Sequence, residues 1–309
     1  MTQAAAQYSR LSAGRVLRRW YNQDGRAYLF LLPFAVLFTA FTIVPIFIAV
    51  YTSLTSNNMI QPSEWVGIVN YRNLFVKDEV FMKAMKNTLI FVLITGPIGY
   101  IASFLFAWVI DSLKFKRLFA LCFYAPSIVS SVAMTTIWGN FFSADSHGWL
   151  NNFLLNTGLV HSPVLWNMDA NTILPVIVII SIWTSMGTGF LVFMAGLKNV
   201  PKDHYESARI DGISNVFQEL WYITIPSMKP QLLFGVINSI TGAFAVFDIA
   251  VTFAGLPSAN NEGLTIVGHL YDYAFNRFQL GYASAIAVVL FLMTFVLGQI
   301  AMRAFADKE

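Results

Sequence analysis

The chain has 309 residues, of which 57% are hydrophobic, 16% aromatic and only 11% charged, with a mean hydropathy of +0.62. That balance excludes an ordinary soluble protein and reads as a polytopic membrane protein, its 28 Phe suited to lipid or to a membrane-embedded cavity. A net charge of +3 gives no ground for nucleic-acid binding, and the single cysteine, Cys122, excludes an internal disulfide and a thiolate metal cluster; its apolar surroundings predict a buried, inert thiol.

Residues 1–27 are polar and carry Arg10, Arg15, Arg18, Arg19 and Arg26 against Asp24 alone. They read as a cytoplasmic arm. The first apolar run, 28–51, spans about 36 Å as a helix, too long for a cleaved signal and suited to a retained anchor. Five comparable runs follow at 88–110, 118–142, 173–197, 231–253 and 283–302, which predicts six spans. Between the first two lies an amphipathic stretch with Tyr71, Arg72, Asn73, Leu74, Phe75, Lys83 and Lys86. Between the third and fourth lies a polar connection with Asp145, His147, Asn151, Asn152, His161 and Asp169 but no Lys or Arg. Pro33, Pro45, Pro97, Pro126 and Pro175 fall in or beside the runs, where kinks are the default expectation.

Six spans put both termini on one side, and the basic residues choose it. The arm, Lys114, Lys116 and Arg117, then Lys198, Lys202, Arg209 and Lys229, and finally Arg303 and Lys308 fall on one face. Arg72, Lys77, Lys83, Lys86 and Arg277 fall on the other, and the two sets make up the 19 Lys and Arg of the chain. The excess predicts cytoplasmic termini. Helices satisfy their own backbone in lipid, so the expected fold class is all-α, a helical bundle of six transmembrane helices. No phosphate-cradling loop ending in Gly-Lys-Ser/Thr is present, so any use of ATP belongs to a partner chain.

The longest cytoplasmic connection, 198–230, holds the most specific pattern. Asp203 three residues before Glu206 has capping-box spacing, Gly212 can take a left-handed cap, Ser214 can cap a second helix through Phe217, Leu220 and Trp221, and Pro226 ends that helix or its following turn. The expectation is a short helix, a sharp turn and a second short helix, which alone could be no more than a hairpin on the membrane surface.

The string Tyr205, Glu206, Ser207, Ala208, then Ile210, Asp211, Gly212, Phe217, Ile223 to Pro226 and Pro230 resembles the E-A-A-x-x-x-G loop of binding-protein-dependent ABC importer permeases. Within that family the chain is similar to the maltose, lactose and glycerol-3-phosphate permeases, through Trp183, Gly196, Asn199 and Pro201, Phe247-Asp248 leading to Gly255, Pro257 and Glu262, and Phe275 with Gly281 to Ala285. Gly67, Asn70, Tyr71, Arg72, Asn87 and Thr88 extend the likeness, which covers roughly 28–303. Ser207 stands where the family often has Ala, and Ala254, Gly255, Leu256, Pro257 where relatives often show a Gly-Gly-Pro turn. The tail 304–309 lacks the Lys-Gly ending of second permeases, so the chain looks like the first of a pair.

The resemblance implies a type I ABC importer permease fold: arm 1–27, transmembrane domain 28–303 with the coupling loop at 198–230, and tail 304–309. It implies no cofactor and no catalytic residue in this chain. The implied partners are a second permease, cytoplasmic ATP-binding subunits, an extracytoplasmic solute-binding protein, a carbohydrate and membrane lipid, at a prokaryotic inner membrane. It assigns coupling to the ATPase to Glu206, Ser207, Ala208, Asp211 and Gly212.

Polar groups within spans are costly unless they face protein or water, so their helical phase is informative. Ser181, Ser185 and Thr188 share a face of the fourth span beside Trp183 and Thr184, and the resemblance makes Ser181, Thr184, Ser185 and Thr188 sugar contacts. Asn238, Thr241 and Asp248 share a face of the fifth, flanked by Phe244 and Phe247. Hydroxyls, an amide and aromatic faces suit a neutral polyol. Each Ser or Thr could instead bond its own helix carbonyl. Asp248, the one acid within a span, is either a pathway carboxylate or a group bonded to a neighbouring helix near the outer boundary. His147, His161, His204 and His269 have no ligand spacing and read as surface or interface residues. The function expected is the permease subunit of an ATP-driven carbohydrate importer. Alternatives are a glycerol-3-phosphate or other polyol-derivative permease, or an ion-coupled transporter, which would need buried acid–base pairs.

Overall fold

The computed structural model describes residues 25–305, so residues 1–24 of the expected arm and residues 306–309 of the tail lie outside the described residues. The chain forms two units, one ending at Thr52 and one beginning at Ser53. The first is an apolar helix, α1 (Gly25–Phe38) running through a π turn (Thr39–Ile43) into α2 (Val44–Thr52). The π turn stands just before Pro45, and the Val44 N–H reaches back five residues to the Thr39 carbonyl. A proline offers no N–H to the preceding turn, and a widened turn accommodates the gap.

The second unit is helical among the described residues, apart from one antiparallel bridge, Thr55 to Trp65. Its elements are α3 (Val69–Val76), α4 (Glu79–Asp111), α5 (Lys116–Ile128), α6 (Ser131–Phe141), α7 (Trp149–Asn156), α8 (Ala170–Asn199), α9 (Lys202–Ile210), α10 (Val216–Glu219), α11 (Ile225–Ser227), α12 (Lys229–Phe244), α13 (Asp248–Ala254), α14 (Ile266–Tyr271) and α15 (Leu280–Phe305). Among the described residues of the two units together, five helices are long and apolar enough to cross a membrane, or six if one bent pair counts as a span.

That pair is α5 and α6. The run 118–142, expected as a single span, bends by 99° between them. Val129 is extended, and the Ser130 hydroxyl accepts from the Ala133 N–H at 3.3 Å, so a new helix starts there. The fifth span is also broken, with Ala245 to Phe247 separating α12 from α13. The Val246 carbonyl, freed at this break, accepts instead from the buried Thr265 hydroxyl at 3.1 Å.

Helix α4 packs along α8, with α12 against both. The two long helices approach so closely that a Cβ on Gly99 would lie 2.8 Å from Ser185 Oγ. Small residues permit such contact within membranes. Phe193 of α8 sets its ring edgewise to Tyr100 and Phe104 of α4, with centroids 5.4 and 5.5 Å away. Phe91, Ile173, Ile177, Ile180, Phe244 and Phe253 form one buried cluster, and Leu74, Phe81, Ile266 and Ile286 another near the start of α4.

Polar ties hold the connections at that end. The Asn87 amide donates to the carbonyls of Asn261, Glu262 and Leu264 at 2.9, 3.0 and 3.1 Å, and the Thr88 hydroxyl accepts from the Ile266 N–H. These bonds and the Lys83–Glu262 pair fasten the turn after α13, which contains a cis Leu256–Pro257 bond, to α4. Asn151, fully buried, holds the connection before α8 by bonding Ser143, Asp145, Val164 and Trp166. Two sequence expectations change. His269, expected at a surface or an interface, is 2% exposed within the unit and bonded to Asp78, and Cys122, expected buried, is exposed on α5. An outward-facing apolar helix makes exposure to lipid cheap, so an apolar run does not imply burial in protein.

Candidate functional site

A cavity of about 520 Å³ opens between α4, α8, α12 and the start of α13. The structure brings Ser181, Thr184, Ser185, Asn238, Phe247 and Asp248 of the expected pathway set to its wall. Ser181 Oγ is buried and has no hydrogen-bond partner among the described residues, an unusual state for a hydroxyl and one a ligand or water would relieve. Asn238 and Asp248 are exposed, and no described side chain or backbone group bonds their polar atoms. Thr184 and Ser185 also donate to carbonyls of their own helix, Ile180 and Ile182.

Three expected residues, Trp183, Phe244 and Thr241, differ. Trp183 faces away, 39% exposed, with its ring edgewise to Trp138 at 5.2 Å. Phe244 is 2% exposed within the core cluster. Thr241 donates to the Ile237 carbonyl and does not line the cavity. The common face assumed for Asn238, Thr241 and Asp248 requires an unbroken helix, and the break at Ala245 to Phe247 resets the phase. Thr188 lies in α8, but its side chain is outside the described residues.

Residues of α4 line the cavity without having been singled out, notably Thr95, Gly99, Tyr100 and Ser103. The signal available was the spacing of Gly96, Gly99 and Ser103, a small-residue face suited to close packing. Ser239 of α12 donates to the Gly96 carbonyl at 2.9 Å and Tyr100 to the Leu232 carbonyl at 3.3 Å, so α4 and α12 are tied across the wall.

The second region is the loop after α8. Helix α9 begins at Lys202 with Pro201 at its cap, so Asp203 lies inside the first turn rather than at a capping box, where its charge suits the helix N-terminus. The helix ends in a Schellman motif: the Ile213 N–H reaches the Ala208 carbonyl at 2.9 Å, the Gly212 N–H reaches Arg209, and Gly212 takes φ +92°. Asn215, not Ser214, caps the following helix by accepting from the Phe217 N–H. Pro226 does not end the helical stretch; it lies within α11 after another π turn, and the chain bends at Met228. Glu206, Ser207, Asp211 and Gly212 are exposed, whereas Ala208 is buried. Tyr205, hydroxyl to hydroxyl with Thr224 at 3.0 Å, and Arg209, paired with Glu219 at 3.1 Å, brace α9 against the return stretch.

The described groups thus form a hydroxyl-, amide- and carboxylate-lined cavity with aromatic walls, and a rigid exposed helix joined directly to one of its helices. Residues 11–308 match the family of binding-protein-dependent transport system inner membrane components. The chain is 32% identical over 288 residues to the arabinooligosaccharides transport system permease protein of Bacillus subtilis, covering 92% of this chain and 90% of that one. It is 30% identical over 299 residues to the lactose transport system permease protein of Rhizobium radiobacter, with 95% and 97% covered. Its fold superimposes on a chain of a bacterial ABC transporter involved in the import of the acidic polysaccharide alginate, with a TM-score of 0.78 at 22% identity over 94% and 98% of the two chains. The chain belongs to the family of binding-protein-dependent transport system inner membrane components and has the fold of an ABC importer permease.

Proposed function

We propose that this membrane permease subunit carries a sugar or oligosaccharide across the prokaryotic cytoplasmic membrane, driven by ATP hydrolysis in separate cytoplasmic subunits. The cavity is the observation that carries the substrate class. Sugar hydroxyls need paired donors and acceptors, and Ser181, Asn238 and Asp248 present unengaged ones on a wall that also includes the ring of Phe247. The two similar permeases named for arabinooligosaccharides and lactose support the same class. The partners of the reading are a second permease completing the pathway, two ATP-binding subunits and an extracytoplasmic binding protein that delivers substrate.

In the proposed mechanism, the exposed face of α9, with Glu206, Ser207, Asp211 and Gly212, docks on the ATPase. Closure of the ATPase moves α9. The Tyr205–Thr224 and Arg209–Glu219 contacts make α9 and the return stretch one body, and α8 and α12 carry its displacement to the cavity wall as rigid-body rocking. Both termini and α9 then lie on the cytoplasmic face. The test is reconstitution of the complex with binding protein and ATPase. Loss of ATPase assembly and uptake on deleting 206–212 supports the reading, and normal assembly and uptake after that deletion contradict it.

A further inference from the structure

We propose that the return stretch 216–222 and the connection 113–119 between α4 and α5 lie in the membrane interface and bind acidic phospholipid, holding α9 at a fixed depth. The inference requires only that α4 crosses the membrane, and it stands apart from the nature of the cargo.

Helix α10 and the π turn after it (Leu220–Thr224) are amphipathic in an unusual sense. Their charged and hydroxyl groups turn inward: Glu219 pairs with Arg209, and the Thr224 hydroxyl meets that of Tyr205. Leu220 and Ile223 are buried on the same side. The outer side is aromatic, with Phe217, Trp221 and Tyr222 70, 68 and 66% exposed beside Val216. A helix facing water carries its charges outward, so rings turned outward need another neighbour. Trp and Tyr suit the headgroup boundary, where the ring enters the acyl region and the N–H or O–H stays wet.

Two observations make lipid that neighbour. The patch stands level with the end of a span: the Phe217 ring lies 5.8 Å from that of Trp108, and Trp108 is about 4.5 Å along the axis from Asp111, the last residue of α4. The Lys116–Asp111 pair marks where charge begins at that end. The connection that continues from it interleaves apolar and basic side chains. Phe115 is 73% exposed, Leu113 and Leu118 are exposed too, and Lys114 and Arg117 are exposed with no acidic partner among the described residues. Apolar groups that enter the acyl boundary beside cations that reach phosphate are how interfacial segments hold acidic lipid. Helix α9 differs, since beside exposed Ile210 it turns out Lys202, Asp203, Glu206 and Ser207, groups for water or a protein partner. The rings thus fix the depth of the return stretch, and the Arg209–Glu219 and Tyr205–Thr224 contacts fix α9 to it.

The test uses the chain assembled with its partner permease and ATPase subunits in nanodiscs. In a Cys122→Ser background, which removes the one native thiol, an NBD fluorophore is attached at Trp221→Cys, at Tyr222→Cys or, as an aqueous reference between α7 and α8, at His161→Cys. The bilayer is zwitterionic and contains either phosphatidylglycerol or phosphatidylcholine spin-labelled near the headgroup. Labelled lipid should quench the fluorophore at 221 and 222 about fivefold more than at 161. Phosphatidylglycerol should quench there about threefold more than phosphatidylcholine, and Lys114→Gln with Arg117→Gln should bring the two lipids level. Quenching should be the same with the ATPase subunits present or stripped away. Quenching at 221 and 222 no greater than at 161, or equal quenching by the two lipids without the Lys114 and Arg117 changes, overturns the proposal. Quenching that rises only when the ATPase subunits are removed also overturns it and assigns the face to them.

Discussion

His269 Nε2 lies 2.9 Å from Asp78 Oδ2, joining α14 to the residue that caps α4 across 191 positions of sequence. The Tyr282 hydroxyl donates to the same oxygen at 2.8 Å, so three helices meet at one carboxylate at the end of α4 remote from α9. Burial pushes the Asp78 carboxyl up, but hydrogen bonds from His269, the Phe81 N–H and Tyr282, with the charge of His269, outweigh it and bring the pKa to about 2 from an ordinary 3.8.

Asp78→Asn should therefore destabilise the protein at neutral pH, by about 1–3 kcal/mol for the buried partners left unmatched. Because the folded value is the lower one, the stability due to ionised Asp78 is present above pH 4 and is lost as pH falls toward 2. Thermal unfolding of the purified complex checks this. The wild type should lose its advantage over the variant across that window, and a constant difference from pH 7 to pH 2 would count against the network.

Asn87 is 2% exposed and faces three carbonyls of the turn after α13. Asn87→Leu should cost about 2–3 kcal/mol through unsatisfied buried carbonyls and should open the turn. Asn87→Asp should be no better, because a carboxylate has no donor to offer. Limited proteolysis within residues 255–265 should become faster in both variants.

Gly212 holds a positive φ that a Cβ disfavours, by about 1–2 kcal/mol. Gly212→Val should leave the transmembrane helices intact by circular dichroism and reduce co-purification of the ATPase subunits severalfold, because the distorted cap misplaces α9. Undiminished co-purification would remove Gly212 from the docking surface.

Much of the helical order was legible because long apolar runs leave a membrane chain few options, and the Gly212 cap followed from the one residue type suited to that backbone. The breaks were less visible. No glycine or proline marks Ala245 to Phe247; that interruption depends on Thr265 supplying a donor from 19 residues away. The cavity was half legible for a related reason. Ser181 and Ser185 stand out on an apolar helix, but Thr95 and Ser103 of α4 each donate to their own helix carbonyls, and only packing places them at the wall. His269 looked like a surface residue because its partner, Asp78, lies in a distant segment.

The approach of Gly99 to Ser185 gives the most direct test of the central claim that this cavity is the path of an ATP-driven carbohydrate permease. A Leu at position 99 meets Ser185 and protrudes into the cavity. The decisive measurement is uptake of labelled lactose and arabinotriose into proteoliposomes holding the chain with its partner permease, ATPase and binding protein. The account predicts uptake that requires ATP and is sharply reduced in Gly99→Leu while the complex still assembles and hydrolyses ATP. Uptake that proceeds without ATP, or that continues undiminished in Gly99→Leu, would contradict it.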